Sequence, residues 1–207
     1  MVDKNDSSYQ TKKITTIGIL GALGAVLMVF AQIPYPPVPF LKIEFSDVVV
    51  LIAFMLYGWK SAVFVGLLKA AVNAMVMGPV GPIAIGQISA FVASMSYVGG
   101  MYLALRLNLL SKKLIASLMT VAIVVVVMVI INYFFVTPIY FGEWTYLGVK
   151  DWLGPSSFGL SGEYGYLATI IVVYTPFNLI KGAAVLSVFF IIYKAIKTYL
   201  DIETAYE

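Results

Sequence analysis

The sequence predicts an all-α integral membrane protein, a single domain over residues 1–207 with six transmembrane helices. Two observations favour this class. Hydrophobic residues make up 61% of the chain and charged residues only 11%, whereas soluble domains carry about 25% charged residues. The mean hydropathy is +0.97, and the apolar blocks follow one another along the chain. Little sequence is therefore left for a separate soluble module.

The first two predicted helices lie on either side of a proline-rich loop. No charged residue occurs between residues 14 and 41, and residues 14–33 supply the roughly 20 residues that a helix needs to cross the hydrocarbon layer. Because no small-residue cleavage site follows, this segment is interpreted as a retained span and not as a signal peptide. The loop contains Pro34, Pro36, Pro37 and Pro39, which cannot continue a helix. The second helix is expected at residues 46–57.

Glycine, proline and charged residues delimit four further helices. The Gly58-Trp59-Lys60 turn precedes a third helix at residues 61–77, and the run from Gly78 to Pro82 precedes a fourth at residues 83–106. The fifth is predicted at residues 114–141. A polar loop at residues 142–165 leads to the sixth, at residues 166–193, which contains Pro176 and Lys181.

The flanking charges predict that both termini lie in the cytoplasm. Six spans place the termini on one side, and the side richer in Lys and Arg faces the cytoplasm. The basic residues on that side are Lys4, Lys12, Lys13, Lys60, Arg106, Lys112, Lys113, Lys194 and Lys197, and the outer loops keep only Lys42 and Lys150. The acidic residues Glu44, Asp47, Glu143, Asp151 and Glu163 fall outside. We expect a multi-pass protein of the cell membrane whose outer loops meet an arriving ligand first.

The composition argues against an enzyme. The chain has no histidine and no cysteine, which removes the commonest general base, thiolate nucleophiles and the usual transition-metal ligands. It also has no Gly-x-x-x-x-Gly-Lys-Ser/Thr loop, so ATP hydrolysis by this chain is not expected. Its basic residues cluster at helix ends and not in one stripe, which argues against nucleic acid as a partner. We expect no catalytic residue, metal or cofactor, and a role in binding or transport.

Lys69 and Lys181 are the two charged residues inside the predicted apolar segments. A charge in the hydrocarbon layer costs a few kcal/mol or more without a partner, so each marks a candidate site. Tyr174, Asn178 and Lys181 are spaced i, i+4, i+7 and share one helix face, and Lys181 is too far from the inner end of its helix to snorkel. Lys69 shares a face with Asn73 and is interpreted either as a snorkelling side chain or as part of a site.

Asn132 interrupts the aliphatic run of the fifth predicted helix. Aromatic residues follow it toward the outer end, among them Tyr133, Tyr140 and Phe141. A buried amide beside aromatic rings suits a flat heterocyclic ligand. The same residue is also typical of a hydrogen bond between membrane helices.

The first predicted helix carries a face of small residues. Gly18 with Ala22, and Gly21 with Ala25, form overlapping small-xxx-small pairs. Such a face allows another helix to approach closely. The neighbour is either a helix of the same bundle or a partner protein.

Three motifs together resemble a known family. They are the loop Phe40-Leu41-Lys42-Ile43-Glu44-Phe45-Ser46-Asp47, the run Asn132-Tyr133-Phe134 with Pro138-Ile139-Tyr140 after it, and the segment Pro176-Phe177-Asn178-Leu179-Ile180-Lys181-Gly182. Combined with six short spans, they resemble the riboflavin-specific substrate-binding component, or S component, of energy-coupling-factor (ECF) vitamin transporters. The resemblance extends over nearly the whole chain.

The resemblance implies how the chain would work. Six helices would hold riboflavin near the outer face, and a membrane coupling subunit with two ATPase subunits would drive its release inward. Asn132 and Lys181 would bond the polar edge of the isoalloxazine ring, while the loop from Leu41 to Asp47, with Lys42, Glu44 and Phe45, would cover the ring and meet the ribityl chain. The helix 1 residues Gly18, Ala22 and Ala25 would dock on the coupling subunit.

One motif departs from the family pattern. A Gly-Glu-x-x-Asn-Phe-like start of the fourth helix is expected, and the chain has Gly86-Gln87-Ile88-Ser89-Ala90-Phe91 instead. Gln87 is kept as a candidate ligand contact.

The chemistry of riboflavin fits these residues. Lys181 can donate to the ring acceptors, Asn132 can donate and accept at the imide, and Phe45, Tyr133, Tyr140 or Phe141 can wall the ring. Glu44 or Asp47 can accept from ribityl hydroxyls, and an acidic loop of this kind would weaken binding of the phosphate ester. Two alternatives remain, an S component for another vitamin and a stand-alone secondary transporter of a small heterocycle.

Overall fold

The computed structural model describes residues 7–36, 38–143, 147 and 162–200 of the chain. In that part of the chain, five helical segments are long and apolar enough to cross a membrane. They are built on α1 (Ser7–Phe30), α3 (Trp59–Met77), α4 (Ile85–Arg106), α5 (Lys113–Ile131) and α7 (Gly162–Leu200), and the shorter helices are α2 (Ser46–Tyr57) and α6 (Thr137–Tyr140). A bundle of five or six apolar membrane helices is therefore confirmed. The count of six spans, the single domain and the cytoplasmic termini stay predictions.

The proline-rich segment, predicted as a loop, forms a β-hairpin in this mostly helical chain. Strand β1 (Ile33–Tyr35) pairs antiparallel with β2 (Val38–Ile43). In this pairing Ile33 lies opposite Ile43, and Pro34 lies opposite Lys42. Proline is compatible with a strand that has a free edge, because the missing N–H then removes no ladder bond. Both strands of a two-stranded hairpin have such an edge.

Helix α2 is short and lies at the centre of the bundle. Its 12 residues extend only about 18 Å at 1.5 Å per residue, less than the roughly 30 Å of hydrocarbon in a bilayer. Its first ten residues, Ser46 to Met55, are all buried. It packs against α1, α3, α4 and α7, which explains why its sequence is apolar all round. The packing holds the start of α2, with Asp47, inside the bundle.

Helix ends differ from the predicted ends where charged residues continue a helix past its apolar part. Helix α1 begins at Ser7 and ends at Phe30, compared with a prediction of residues 14–33. Helix α7 runs from Gly162 to Leu200 through Pro176, compared with residues 166–193. Lysine is a good helix former, so the limit of an apolar block is not the limit of a helix.

The fifth predicted helix is divided into three pieces. A π-helical turn, Asn132–Val136, lies between α5 and α6. In that turn the N–H of Thr137 donates to the C=O of Asn132, five residues earlier. Pro138 has no N–H for the C=O of Phe134, which removes an α-helical hydrogen bond at this place.

Part of the predicted outer loop lies outside the described residues. Lys150 and Asp151 of that loop are not described, and neither is Lys4 at the predicted cytoplasmic end. The side chains of Glu163 and Lys197 are not described either. The predicted distribution of charge across the membrane therefore stays a prediction.

Candidate ligand-binding cavity

The helices and β2 line a half-open cavity of about 210 Å³. Most of the predicted ligand contacts line it, namely Leu41, Lys42, Glu44, Gln87, Asn132, Tyr140, Phe141, Tyr174, Asn178 and Lys181. The stripe of Tyr174, Asn178 and Lys181, predicted from spacing on one helix, faces the cavity along its full length. Phe45, Asp47 and Tyr133 do not line the cavity.

Lys181 is paired with two carboxylates at the cavity wall. Its ammonium Nζ lies 2.9 Å from Glu44 Oε1 and 2.9 Å from Asp47 Oδ2. Glu44 Oε2 accepts a hydrogen bond of 2.7 Å from the backbone N–H of Ser46, at the start of α2. The ion pairs therefore join α7 to the segment between the hairpin and α2, through Glu44, and to the first turn of α2, through Asp47. Both carboxylates are thus paired inside the protein, and the predicted acceptance of hydrogen bonds from ribityl hydroxyls by Glu44 or Asp47 stays a prediction.

Lys69 is fully buried, so the snorkelling interpretation was wrong. Its Nζ lies 2.8 Å from Asp47 Oδ1 and also donates to Ser46 Oγ. Ser94 of α4 donates to the same Asp47 oxygen at 2.6 Å. Asp47 thus accepts hydrogen bonds from α3 and α4 and forms an ion pair with Lys181 of α7, and these contacts fix the start of α2 between the three helices. Lys69 belongs to the support of the cavity and not to its wall.

Two carboxylates and two ammonium groups form a cluster without net charge. We call these residues, Glu44, Asp47, Lys69 and Lys181, the buried charge cluster. Burial raises the pKa of the Glu44 carboxyl, but the Lys181 and Lys69 ammonium groups and the Ser46 hydrogen bond together outweigh that effect and hold the pKa below its usual value. Two ammonium groups and two carboxylates then balance. A repulsive acidic loop is therefore not present in this region, and the predicted weaker binding of the phosphate ester loses its basis.

Two asparagines present their side-chain oxygens to the cavity. Asn132 Nδ2 donates to the C=O of Met128 at 2.7 Å, and Asn178 Nδ2 donates to the C=O of Tyr174 at 2.8 Å. A backbone carbonyl is always an acceptor, so these bonds fix each amide with its Oδ1 directed away from its own helix. Both residues line the cavity. Together with the Lys181 ammonium, they give it a donor and two acceptors.

The helix α5, the π-helical turn and α6 together form one wall of the cavity. Met128, Asn132, Val136 and Tyr140 all line the cavity at steps of four residues. In an α-helix, a step of four residues rotates a side chain about 40° past a full turn, so residues spaced by four drift around the helix. In the wider π-helical turn the same step rotates by less than a full turn, which offsets this drift. The π-helical turn therefore brings Tyr140 onto the same wall as Asn132.

Two predicted aromatic contacts pack elsewhere. The ring of Tyr133 lies 4.9 Å from the ring of Tyr166, in a cluster with Ile170 and Tyr174. Phe45 packs against the main hydrophobic core. Both residues support the surroundings of the cavity, and neither contacts its interior.

The hairpin is attached to the helices beside the cavity. Lys42 Nζ donates to Gln32 Oε1 at 2.6 Å, and Gln32 Nε2 donates to the C=O of Met28. The ring of Tyr35 lies 5.5 Å from the ring of Phe177. The hairpin is thereby joined to α1 and α7.

Gln87 holds the connection between α3 and α4. Its Nε2 donates to Asn73 Oδ1 and to the C=O of Gly78, and its Oε1 accepts from the N–H of Val80, each at 3.0 Å. Both donors of the Gln87 amide are therefore used inside the protein. The connection needs this support because Ile83 and Ala84 have positive φ values of 49° and 57°, which are unfavourable for residues other than glycine.

The small-residue face of α1 is divided between two environments. Gly21 and Ala25 are buried in the bundle, and a side chain at Gly21 would come within 2.3 Å of Leu68 of α3. Gly18 and Ala22 are exposed, and no atom lies within 4 Å of a side chain placed at Gly18. Packing within the bundle therefore accounts for Gly21 and Ala25, and Gly18 and Ala22 stay available to a partner.

Several cavity residues were not predicted as contacts. They are Met28, Gln32, Asn73, Val80, Gly86, Ser89, Ala90, Ala93, Met128, Val136 and Phe177. A signal was present for Asn73, which shares a helix face with Lys69. The apolar residues gave no such signal, because the same apolar residue types face the lipid and face a cavity in a membrane helix.

The fold and the cavity define a class of protein. Apolar helices that could cross a membrane line a cavity, and that cavity has hydrogen-bonding groups together with aromatic and aliphatic groups. Such a site suits a small organic molecule with a polar edge and an apolar edge. The molecule is a membrane protein that binds a small ligand.

The comparison with known proteins shows the family. The family described as "ECF transporter, substrate-specific component" matches residues 12–193. The chain therefore belongs to the substrate-specific components of ECF transporters. It is a multi-pass protein of the cell membrane and a transporter component, not an enzyme.

Similar individual proteins cover almost the whole chain. The Riboflavin transporter RibU of Staphylococcus aureus is 34% identical over 196 residues, which is 92% of this chain and 93% of that protein. The Riboflavin transporter RibU of Streptococcus thermophilus is 30% identical over 95% of this chain and 88% of its own length. The Riboflavin transporter FmnP of Bacillus subtilis is 27% identical over 93% of this chain and 95% of its own length.

A solved structure has the same fold. It is described as "Structure and mechanism of the S component of a bacterial ECF transporter" and is 26% identical to this chain, with a TM-score of 0.67. The match covers 93% of this chain and 99% of that one.

Proposed function

We propose that this chain binds riboflavin and is the substrate-specific subunit for its uptake by an ATP-driven ECF transporter. Its partners are then a membrane coupling subunit and two ATPase subunits. Three relatives that cover nearly the whole chain are riboflavin transporters, and the sequence motifs resemble the riboflavin-specific members of the family. These similarities support the choice of ligand.

One observation carries the proposal. Asn132, Asn178 and Lys181 lie on the wall of one cavity, whose other lining residues include aromatic and aliphatic side chains. The isoalloxazine ring has carbonyls, nitrogens and an imide N–H along one edge and a dimethylbenzene edge on the other side. An ammonium donor suits the ring acceptors, and an asparagine oxygen suits the imide N–H. The rings of Tyr140 and Phe141 suit the apolar part of the ligand.

The position of the cavity suits capture from outside the cell. Leu41 and Lys42 of β2 belong to the cavity wall, so the cavity lies next to the hairpin. With both termini in the cytoplasm, the hairpin is on the outer side of the membrane. Riboflavin then enters at the hairpin and is held there until the coupling subunit and the ATPases drive its release inward.

The exposed part of the α1 small-residue face suits contact with the coupling subunit. Gly18 and Ala22 are exposed and small, so a helix of a partner can approach the α1 backbone closely. Gly21 and Ala25 are occupied by packing within the bundle.

Titration of the purified protein with riboflavin tests the proposal. Flavin fluorescence should be quenched on binding, and Asn132→Leu should weaken binding by about 5-fold to 150-fold, because a polar group of the ligand then has no partner. Lys60→Met, at an exposed position at the start of α3, is the matched surface control and should bind as the unchanged protein does. Absence of quenching by the unchanged protein would exclude riboflavin and leave an S component for another vitamin.

A transport measurement separates the second alternative. Riboflavin uptake into proteoliposomes should require the coupling subunit, the ATPases and ATP. Uptake by this chain alone would identify a stand-alone secondary transporter instead.

A further inference from the structure

Asn73 is a buried amide on the cavity wall with no assigned role. It lies on α3, one turn from Lys69, and its side chain is among the buried polar groups. Its Oδ1 accepts a hydrogen bond from Gln87 Nε2 at 3.0 Å. Among the described residues, its Nδ2 has no hydrogen-bond partner.

The orientation of the Asn73 amide follows from backbone groups. The N–H of Val80 is always a donor and the C=O of Gly78 is always an acceptor. Because Gln87 bonds both, its Oε1 must face Val80 and its Nε2 must face Gly78. The same Nε2 then donates to Asn73, which requires that Asn73 turn its Oδ1 toward Gln87. The two N–H donors of Asn73 are consequently left for the cavity.

The cavity therefore has a donor on α3 that complements the acceptors on the other wall. Asn132 and Asn178 each present an oxygen, since their Nδ2 groups bond backbone carbonyls. Asn73 presents nitrogen instead, on a different helix. The Asn73 nitrogen is open to the cavity, and a ligand that fills the cavity without bonding it would leave an N–H unpaired, which is costly. A ligand with an oxygen at this place would therefore be bound selectively.

From this geometry we infer that Asn73 is a specificity-determining residue that donates a hydrogen bond to a hydroxyl oxygen of the ribityl chain. Gln87 is the positioning residue that fixes the Asn73 amide. The inference rests on the proposed function. A ribityl oxygen is the matching group because the polar edge of the ring is assigned to Asn132 and Lys181 on α5 and α7, and the ribityl hydroxyls are the other oxygen-bearing part of the ligand.

Comparison of two flavins tests the inference. Lumiflavin has the same ring as riboflavin but a methyl group in place of the ribityl chain. Asn73→Leu should weaken riboflavin binding about tenfold and change lumiflavin binding by less than about twofold. Asn73→Asp, which keeps the shape and loses the donors, should show the same selectivity. Asn108→Asp, at an exposed position in the α4–α5 connection, is the matched control and should change neither affinity.

The role of Gln87 is tested by a double-variant cycle. Gln87→Met should lower the riboflavin-to-lumiflavin affinity ratio, because the Asn73 amide is then free to rotate. In the Asn73→Leu background, the same change should leave that ratio unaltered. A merely structural role would change both ligands equally in either background.

The outcomes distinguish the inference from the proposed function. If the unchanged protein binds riboflavin but Asn73→Leu weakens both flavins equally, or neither, the inference is overturned and the proposed function stands. If the unchanged protein binds neither flavin, both are overturned.

Discussion

Removal of the Lys181 ammonium should destabilise the protein through the carboxylates that it leaves behind. In Lys181→Met, Glu44 and Asp47 face the single ammonium of Lys69. One buried negative charge is then without a partner, because each carboxylate lies 2.9 Å from the lost group. Breaking a buried ion pair in this way costs about 3–5 kcal/mol. At about 2–4 °C per kcal/mol for a chain of this size, the Tm should fall by about 6–20 °C.

A second substitution should restore much of this stability. Glu44→Gln in the Lys181→Met background leaves Asp47 paired with Lys69 and brings the charge cluster back to zero net charge. We expect the double variant to recover at least half of the lost Tm, as measured by intrinsic fluorescence during heating in detergent. Lys60→Met is the control for loss of an exposed lysine and should melt as the unchanged protein does.

The result that would refute this reasoning is specific. If the double variant melts as low as Lys181→Met, the cost does not arise from uncompensated charge. The double variant should still bind riboflavin poorly, because it lacks the ammonium donor. Stability and binding are thereby separated in one pair of proteins.

Three further predictions follow from other parts of the structure. Lys69→Met should lower the Tm by a similar amount but change riboflavin affinity by less than Lys181→Met does, since Lys69 is not on the cavity wall; equal losses of affinity would contradict that placement. Gly21→Leu should lower the Tm of the isolated protein, because the new side chain would meet Leu68. Gly18→Leu should leave the Tm unchanged and reduce co-purification with the coupling subunit. The opposite pattern would reverse the assignment of the two positions. The pKa of Glu44 is lower in the folded protein than its value of about 4.5 in the unfolded chain, so ionised Glu44 stabilises the fold above that pH, and this stabilisation is lost as the pH falls through the lower folded pKa. The Tm should therefore be constant between about pH 6 and pH 8 and fall below about pH 4.5. A fall of the Tm between pH 8 and pH 6 would contradict the ion pairing.

Periodicity and hydropathy were sufficient for the main architecture. The apolar blocks identified the long helices, and the i, i+4, i+7 spacing of Tyr174, Asn178 and Lys181 placed all three on the cavity wall. This works because the face of a single helix is a local property of the sequence. The hairpin was missed because four prolines exclude a helix without specifying what replaces it.

The buried charge cluster could not be predicted from local patterns. Lys69 and Lys181 pair with Glu44 and Asp47 across distances in sequence of up to 137 residues, and only the packing of α2 brings them together. The Asn73 donor depends in the same way on a chain of bonds through Gln87 and the backbone. The sequence identified the two lysines as costly charges in apolar segments, and the fold determined which carboxylates pair with them.

Riboflavin titration of two proteins tests the central claim most directly. The unchanged protein should quench flavin fluorescence with saturation at one flavin per chain. A variant with Asn132→Leu, Lys181→Met and Glu44→Gln, whose buried cluster keeps zero net charge, should remain folded and show no saturable quenching. Undiminished binding by that folded variant would contradict the assignment of the cavity as the flavin site.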